Sequence, residues 1–275
     1  MSEKLKIDEI LNVDQQEEFN ALEIHDECLI DPDEEIEQQP IAVSIGYKFS
    51  EYTPLVTYGN FCCIVGASKS MKSFFKSAIL ACYIGGKAQN YFTEIKGHDT
   101  EDKVVIDIDT EQSKFHVQKI VKRVNTMVGT QYKGYKAYAL RPKTAHERVQ
   151  FIDWLFNESE FKGRIGVLSI DGVADLVENV NDLDASNQIT QKLMTWSAEN
   201  NCAIITVLHR NFESDKPTGH LGSAILKKSE TVVFVNKDED GVVSVKPKYT
   251  RNIGFDDFMF SVDENGIPKE NNVMF

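Results

Sequence analysis

A short apolar run, Phe61 to Val65, opens into a loop that begins at Gly66 and ends in Lys72 and Ser73. That layout suits the cradling of a polyphosphate. A buried strand delivers the chain to a turn whose successive backbone N–H groups can surround phosphate oxygens, and a helix then starts with its positive dipole end toward the anion. In the pattern G-x-x-x-x-G-K-[ST] the lysine ammonium reaches the outer phosphates and the hydroxyl can ligate Mg²⁺. Gly66, Ala67, Ser68, Lys69, Ser70, Met71, Lys72 and Ser73 would form the loop here, with one departure: Met71 stands where the pattern has its second glycine. The competing reading is a solvated loop with an incidental Lys-Ser pair, and the surrounding chain has to decide.

In open α/β sheets, ligands bind outside the carboxyl ends of the strands, so residues just past those ends converge although they are far apart in sequence. Four further segments carry polar residues at such positions. The run Val104 to Ile108 closes on Asp109, Thr110 and Glu111; Asp109 or Glu111 could polarise a water for attack on a terminal phosphate. The alternative, stronger for Asp109, is capping of the helix that follows. The run Ile165 to Ile170 ends on Asp171, which would hold the hydration shell of Mg²⁺ together with Ser73. Ala203 to Leu208 puts His209 at a strand tip, where it could sense the terminal phosphate, although a lone histidine is usually structural. Gly219 to Ser223 is followed by Lys227 and Lys228 and then by Lys246, Lys248 and Arg251. Those cations could reach a nucleotide on a neighbouring subunit or simply deter edge-to-edge pairing of a strand.

The elements that must position these residues alternate between short β-branched runs and longer helical stretches, which favours a mainly parallel sheet with crossover helices. Strands are predicted at residues 62–66, 104–108, 136–140, 165–170 and 203–208, and helices at 72–83, 113–126, 145–157 and 185–200. Beyond His209 the runs 231–235, 242–248 and 257–262 are separated by tight-turn residues and read as an antiparallel or mixed extension at one edge of the sheet.

Composition bounds the rest. At 275 residues with a net charge of −13, the acidity is concentrated: residues 1–40 hold fourteen Asp and Glu against Lys4 and Lys6, a net of −12, leaving −1 for everything after Pro40. Residues 1–40 therefore read as an acidic flexible arm, with one weak helix around Ile7 to Leu22, and residues 41–275 as a single large domain. The arm would bind a partner, such as a replication protein, or serve as a solubilising tail. Five cysteines without C-x-x-C spacing point to a reducing cytoplasm and argue against a zinc site. Acidic residues near the start and the lack of a long apolar stretch argue against a secretory signal or a membrane span.

Taken together, the loop from Gly66 to Ser73, the Asp109–Glu111 segment, the Leu168–Asp171 strand end, His209 with Arg210 and Asn211, and the Gly219–Ser223 segment resemble the RecA-like P-loop ATPases. Within that family the resemblance is to hexameric helicases of the plasmid RepA and DnaB type, over about residues 41 to 265. It implies ATP and Mg²⁺ as cofactors and assembly into a ring or filament with nucleotide between subunits. Lys72 and Ser73 would take the Walker A roles, Asp171 the Walker B role, Glu111 the water-activating role and His209 the phosphate-sensing role. Arg251, or Lys248, would be the finger supplied by an adjacent protomer. Single-stranded DNA would pass a loop spanning residues 211–219, whose Glu213 and Asp215 outnumber Lys216, so its affinity is expected to be modest and salt-sensitive. The implied function is an ATP-driven motor on DNA in replication or mobile-element maintenance. A nucleotide-gated assembly protein with little turnover is the alternative.

Overall fold

The computed structural model describes residues 20–210 and 219–271, and the chain divides into two units after Gln38. In the first, the described residues form one helix, α1 (Ala21–Cys28), started by Asn20, whose side chain accepts the Glu23 N–H at 3.3 Å. It buries none of its residues. The helix expected over Ile7 to Leu22 falls largely outside the described residues, and α1 begins where that expectation ends.

The second unit opens with a hairpin, β1 (Ile41–Lys48) and β2 (Glu51–Thr57), and then reaches β3 (Phe61–Gly66) and α2 (Lys72–Ile84). There follow β4 (Ile95–Gly97), β5 (Val104–Asp109), α3 (Lys114–Val128), β6 (Tyr135–Ala139), α4 (Ala145–Asn157), β7 (Ile165–Asp171), α5 (Leu183–Glu199) and β8 (Ala203–His209). After residues 211–218 come α6 (Gly219–Lys228), β9 (Thr231–Lys237), β10 (Val243–Thr250), β11 (Phe258–Val262) and β12 (Pro268–Glu270).

Nine strands form the main sheet in the order β12-β11-β10-β9-β3-β8-β7-β5-β6. All pairings from β9 to β6 are parallel, and those from β9 to β12 are antiparallel. The chain is thus α/β, with a mostly parallel sheet and a C-terminal antiparallel region. Each central strand is buried on both faces because both are covered. Cys62 and Ile64 pack with Phe75, Ile79, Val124 and Met127 under α2 and α3, whereas Phe61, Cys63 and Val65 pack with Ile152, Leu155, Leu193 and Ile225 under α4, α5 and α6. Each such side chain, buried completely, stabilises the fold by about 1.5–3 kcal/mol.

A second, antiparallel sheet in the order β2-β1-β4 was not foreseen by the strand pattern. Pro54 lies within β2, which is tolerated because β2 is an edge strand and one missing N–H leaves no central ladder broken. Helix α6 was also unforeseen. Among the described residues no helix is long and apolar enough to cross a membrane.

Candidate functional site

The loop after β3 leaves the sheet from its middle, with Gly66 opposite His209 on β8 and Val65 opposite Phe234 on β9. Gly66 has to be glycine: a Cβ there would lie 2.4 Å from both Ser70 Oγ and the Val235 carbonyl oxygen. Met71, at φ 73° and ψ 21°, occupies the left-handed region that the second glycine of the pattern would supply. Its side chain packs against the core under α2, so the backbone keeps the glycine's conformation at a cost of about 1–2 kcal/mol. Among the described residues, the backbone N–H groups of Ser68, Lys69, Met71, Lys72 and Ser73 meet no acceptor. Ser70 Oγ, also in the loop, is buried without a partner. A run of unpaired donors at the positive end of a helix is what an anion requires.

Lys72 Nζ donates to the carbonyl oxygens of Gly66 and Ala67 at 2.9 and 2.7 Å and lies 3.3 Å from His209 Nδ1. Burial pulls its ammonium below the ordinary lysine range, and the Asp171 and Glu111 carboxylates oppose that shift. His209 Nε2 in turn lies 3.1 Å from Glu111 Oε1. An ammonium can only donate to Nδ1, which assigns the imidazole proton to Nε2 and makes His209 a bridge between the lysine and the glutamate. Ser73 Oγ donates to Asp171 Oδ2 at 2.8 Å.

Asp109 is used otherwise. Its Oδ1 accepts the N–H groups of Glu111 and Gln112 at 3.0 and 2.7 Å, and its Oδ2 accepts from Gln112 Nε2. It fastens the turn that carries Glu111, leaving Glu111 as the carboxylate facing the loop. Burial raises the Asp109 pKa above its ordinary value.

Ser68 to Ser73, Glu111, Asp171 and His209 line one cleft of about 400 Å³, together with Phe74, Gln112, His116, Lys119, Ile120 and Arg123. The α3 residues were missed by the motif reading. Their signal is the spacing of 116, 119, 120 and 123, one face of the helix that follows Glu111. Arg123 sits with its guanidinium carbon 3.7 Å from the Phe74 ring centroid and donates to the Gly266 carbonyl and to Ser77 Oγ, while burial pulls its pKa down to about 10.

Of the residues singled out from the sequence, Lys72, Ser73, Glu111, Asp171 and His209 come together, as does most of the loop from Ser68 onward. Arg251 does not join them. Strand β10 runs antiparallel to β9, with Thr250 opposite Thr231, which sets Arg251 at the end of the sheet opposite the loop. There it donates to the Lys228 carbonyl oxygen at 2.7 Å. Residues 211–218 of the expected DNA loop lie outside the described residues.

The donor set can be tested against Mg²⁺. Among the described residues no three His, Cys, Asp or Glu side chains are arranged to hold a metal by themselves. Ser73 and Asp171 supply two hard oxygen donors at the lip of the loop, which fits an ion that keeps several waters and completes its shell with phosphate oxygens. Compared with known proteins, the chain matches no family model and no curated protein.

Proposed function

We propose that the chain is a RecA-like P-loop ATPase that couples ATP hydrolysis to action on DNA. The observation that carries this reading is the set of N–H groups on Ser68, Lys69, Met71, Lys72 and Ser73 that meet no acceptor among the described residues, within one cleft with Glu111, Asp171, His209 and the Lys72 side chain. The strand order supports it, since the loop-bearing strand lies centrally, beside β8 and one removed from β7.

In this reading the loop amides and Lys72 hold the phosphates, and Lys72 exchanges its two carbonyl partners for phosphate oxygens. Ser73 and Asp171 would hold Mg²⁺, which neutralises charge on the bound phosphates. Glu111 orients a water and takes its proton as the terminal phosphate departs. His209, bonded to Lys72 and Glu111, senses whether that phosphate is present. DNA would engage the segment after β8, with Arg210 at its base and His220 in the first turn of α6.

Lys72→Ala is expected to abolish nucleotide binding or reduce turnover by at least two orders of magnitude. Steady-state phosphate release equal to that of the parent chain would refute the assignment. Single-stranded DNA should accelerate release several-fold; tight binding with negligible, DNA-insensitive release would instead identify a nucleotide-gated assembly protein.

A further inference from the structure

Lys76 lies one helical turn beyond Lys72 and is completely buried. A buried ammonium needs partners, and Nζ has two: Asp107 Oδ1 at 2.9 Å and Asp171 Oδ2 at 3.2 Å. Asp171 Oδ2 is the same oxygen that accepts the Ser73 hydroxyl, so α2 grips it twice, from the lip of the loop and from beneath. The other Asp107 oxygen accepts the buried Tyr135 hydroxyl at 2.9 Å, tying the network to β6. In parallel register Asp107 and Asp109 on β5 face Ser169 and Asp171 on β7, which places three carboxylates on one sheet face beneath α2 and α3. Lys76 is the ammonium buried among them.

The geometry points to Lys76 as a positioning residue for metal-dependent nucleotide binding: it fixes the orientation of the Asp171 carboxylate toward Ser73, while Asp107, anchored by Tyr135, fixes Lys76. This rests on the ATPase reading, because the ion it concerns is the one that Ser73 and Asp171 would hold. A merely structural role makes a different forecast. Replacing a buried ion pair by uncharged groups of similar volume is often neutral for stability, whereas removing one partner alone is strongly destabilising. The double variant K76M/D107N removes one charge of each sign, keeps an acceptor for Tyr135 and retains the unbranched stem of residue 76.

The test titrates a fluorescent ATP analogue onto the full-length parent and onto K76M/D107N, with and without Mg²⁺, and compares their urea midpoints. The expected result is a folded double variant whose Mg²⁺-free nucleotide affinity stays within about 3-fold of the parent. Its half-saturating Mg²⁺ concentration should rise by about 10-fold or more. A folded double variant with the parent's Mg²⁺ dependence overturns the inference and leaves the ATPase reading standing. A parent chain that binds no analogue with Mg²⁺ overturns both. Should the double variant fail to fold, Tyr135→Phe, which releases Asp107 while leaving the buried charges paired, is titrated in the same way, and unchanged Mg²⁺ dependence in it overturns the inference.

Discussion

At the scale of single residues, Met71 separates what the loop's backbone needs from what a motif demands. The pattern asks for glycine because the position adopts positive φ, and Met71 adopts it with a side chain. Relief of left-handed strain in Met71→Gly is opposed by glycine's greater freedom in the unfolded chain and by lost packing. The expected change in unfolding free energy is therefore within about 1 kcal/mol, with nucleotide affinity retained. Met71→Val puts a β-branched side chain at φ 73° and should be destabilising by about 1–2 kcal/mol beyond the parent. Urea unfolding of the two variants checks this, and equal midpoints for Gly and Val would show that the backbone conformation is not the constraint. Lys72, Ser73, Glu111, Asp171 and His209 were legible in the sequence because each follows the end of a largely apolar run, where chain direction alone brings side chains together. Lys76 and Asp107 were not. A lysine in a helix and an aspartate in a strand look like surface residues until the packing of α2 on β5 and β7 is known.

The elements divide in the same way. Strands β3, β5, β7 and β8 are largely apolar runs buried on both faces, and their expected bounds agree with the observed ones to within one residue at either end. The small sheet hid because Ser44, Gly46, Thr53 and Pro54 break its periodicity and its pairing shifts register. Helix α6 hid behind Gly219 and Gly222, both poor helix formers. The two sheets meet at Glu230, just before β9, whose buried carboxylate accepts the N–H and hydroxyl of Thr57 at the end of β2 and the amide of Asn252. Burial raises its pKa above the ordinary 4.5 despite those donors. Above 4.5 the unfolded chain has lost this proton while the folded chain still holds it, so rising pH favours unfolding across that window. Glu230→Gln removes this contribution. The difference in urea midpoint between variant and parent should move in the variant's favour as pH rises from 4.5 to 7, and a pH-independent difference would contradict the account.

At the scale of the whole molecule, the loop end of the sheet carries the cleft and the opposite end carries Arg251. Under the proposed function, one copy offers its Arg251 end to the cleft of the next. Such a head-to-tail contact closes into rings or extends into filaments. Arg251→Ala should then bind ATP but turn it over slowly, and mixing it with Lys72→Ala should recover turnover that neither variant shows alone. No recovery under conditions where light scattering shows mixed assemblies would exclude a finger supplied in trans. The arrangement of helices on the two faces also governs how any of this can be watched. Both tryptophans lie on the face away from the cleft: Trp196 on α5, buried and donating to Asp153 at 2.7 Å, and Trp154 on α4, stacked on Phe151. Indole emission will follow global unfolding faithfully but stay blind to nucleotide, so an optical reporter of occupancy has to be installed on the α2–α3 side.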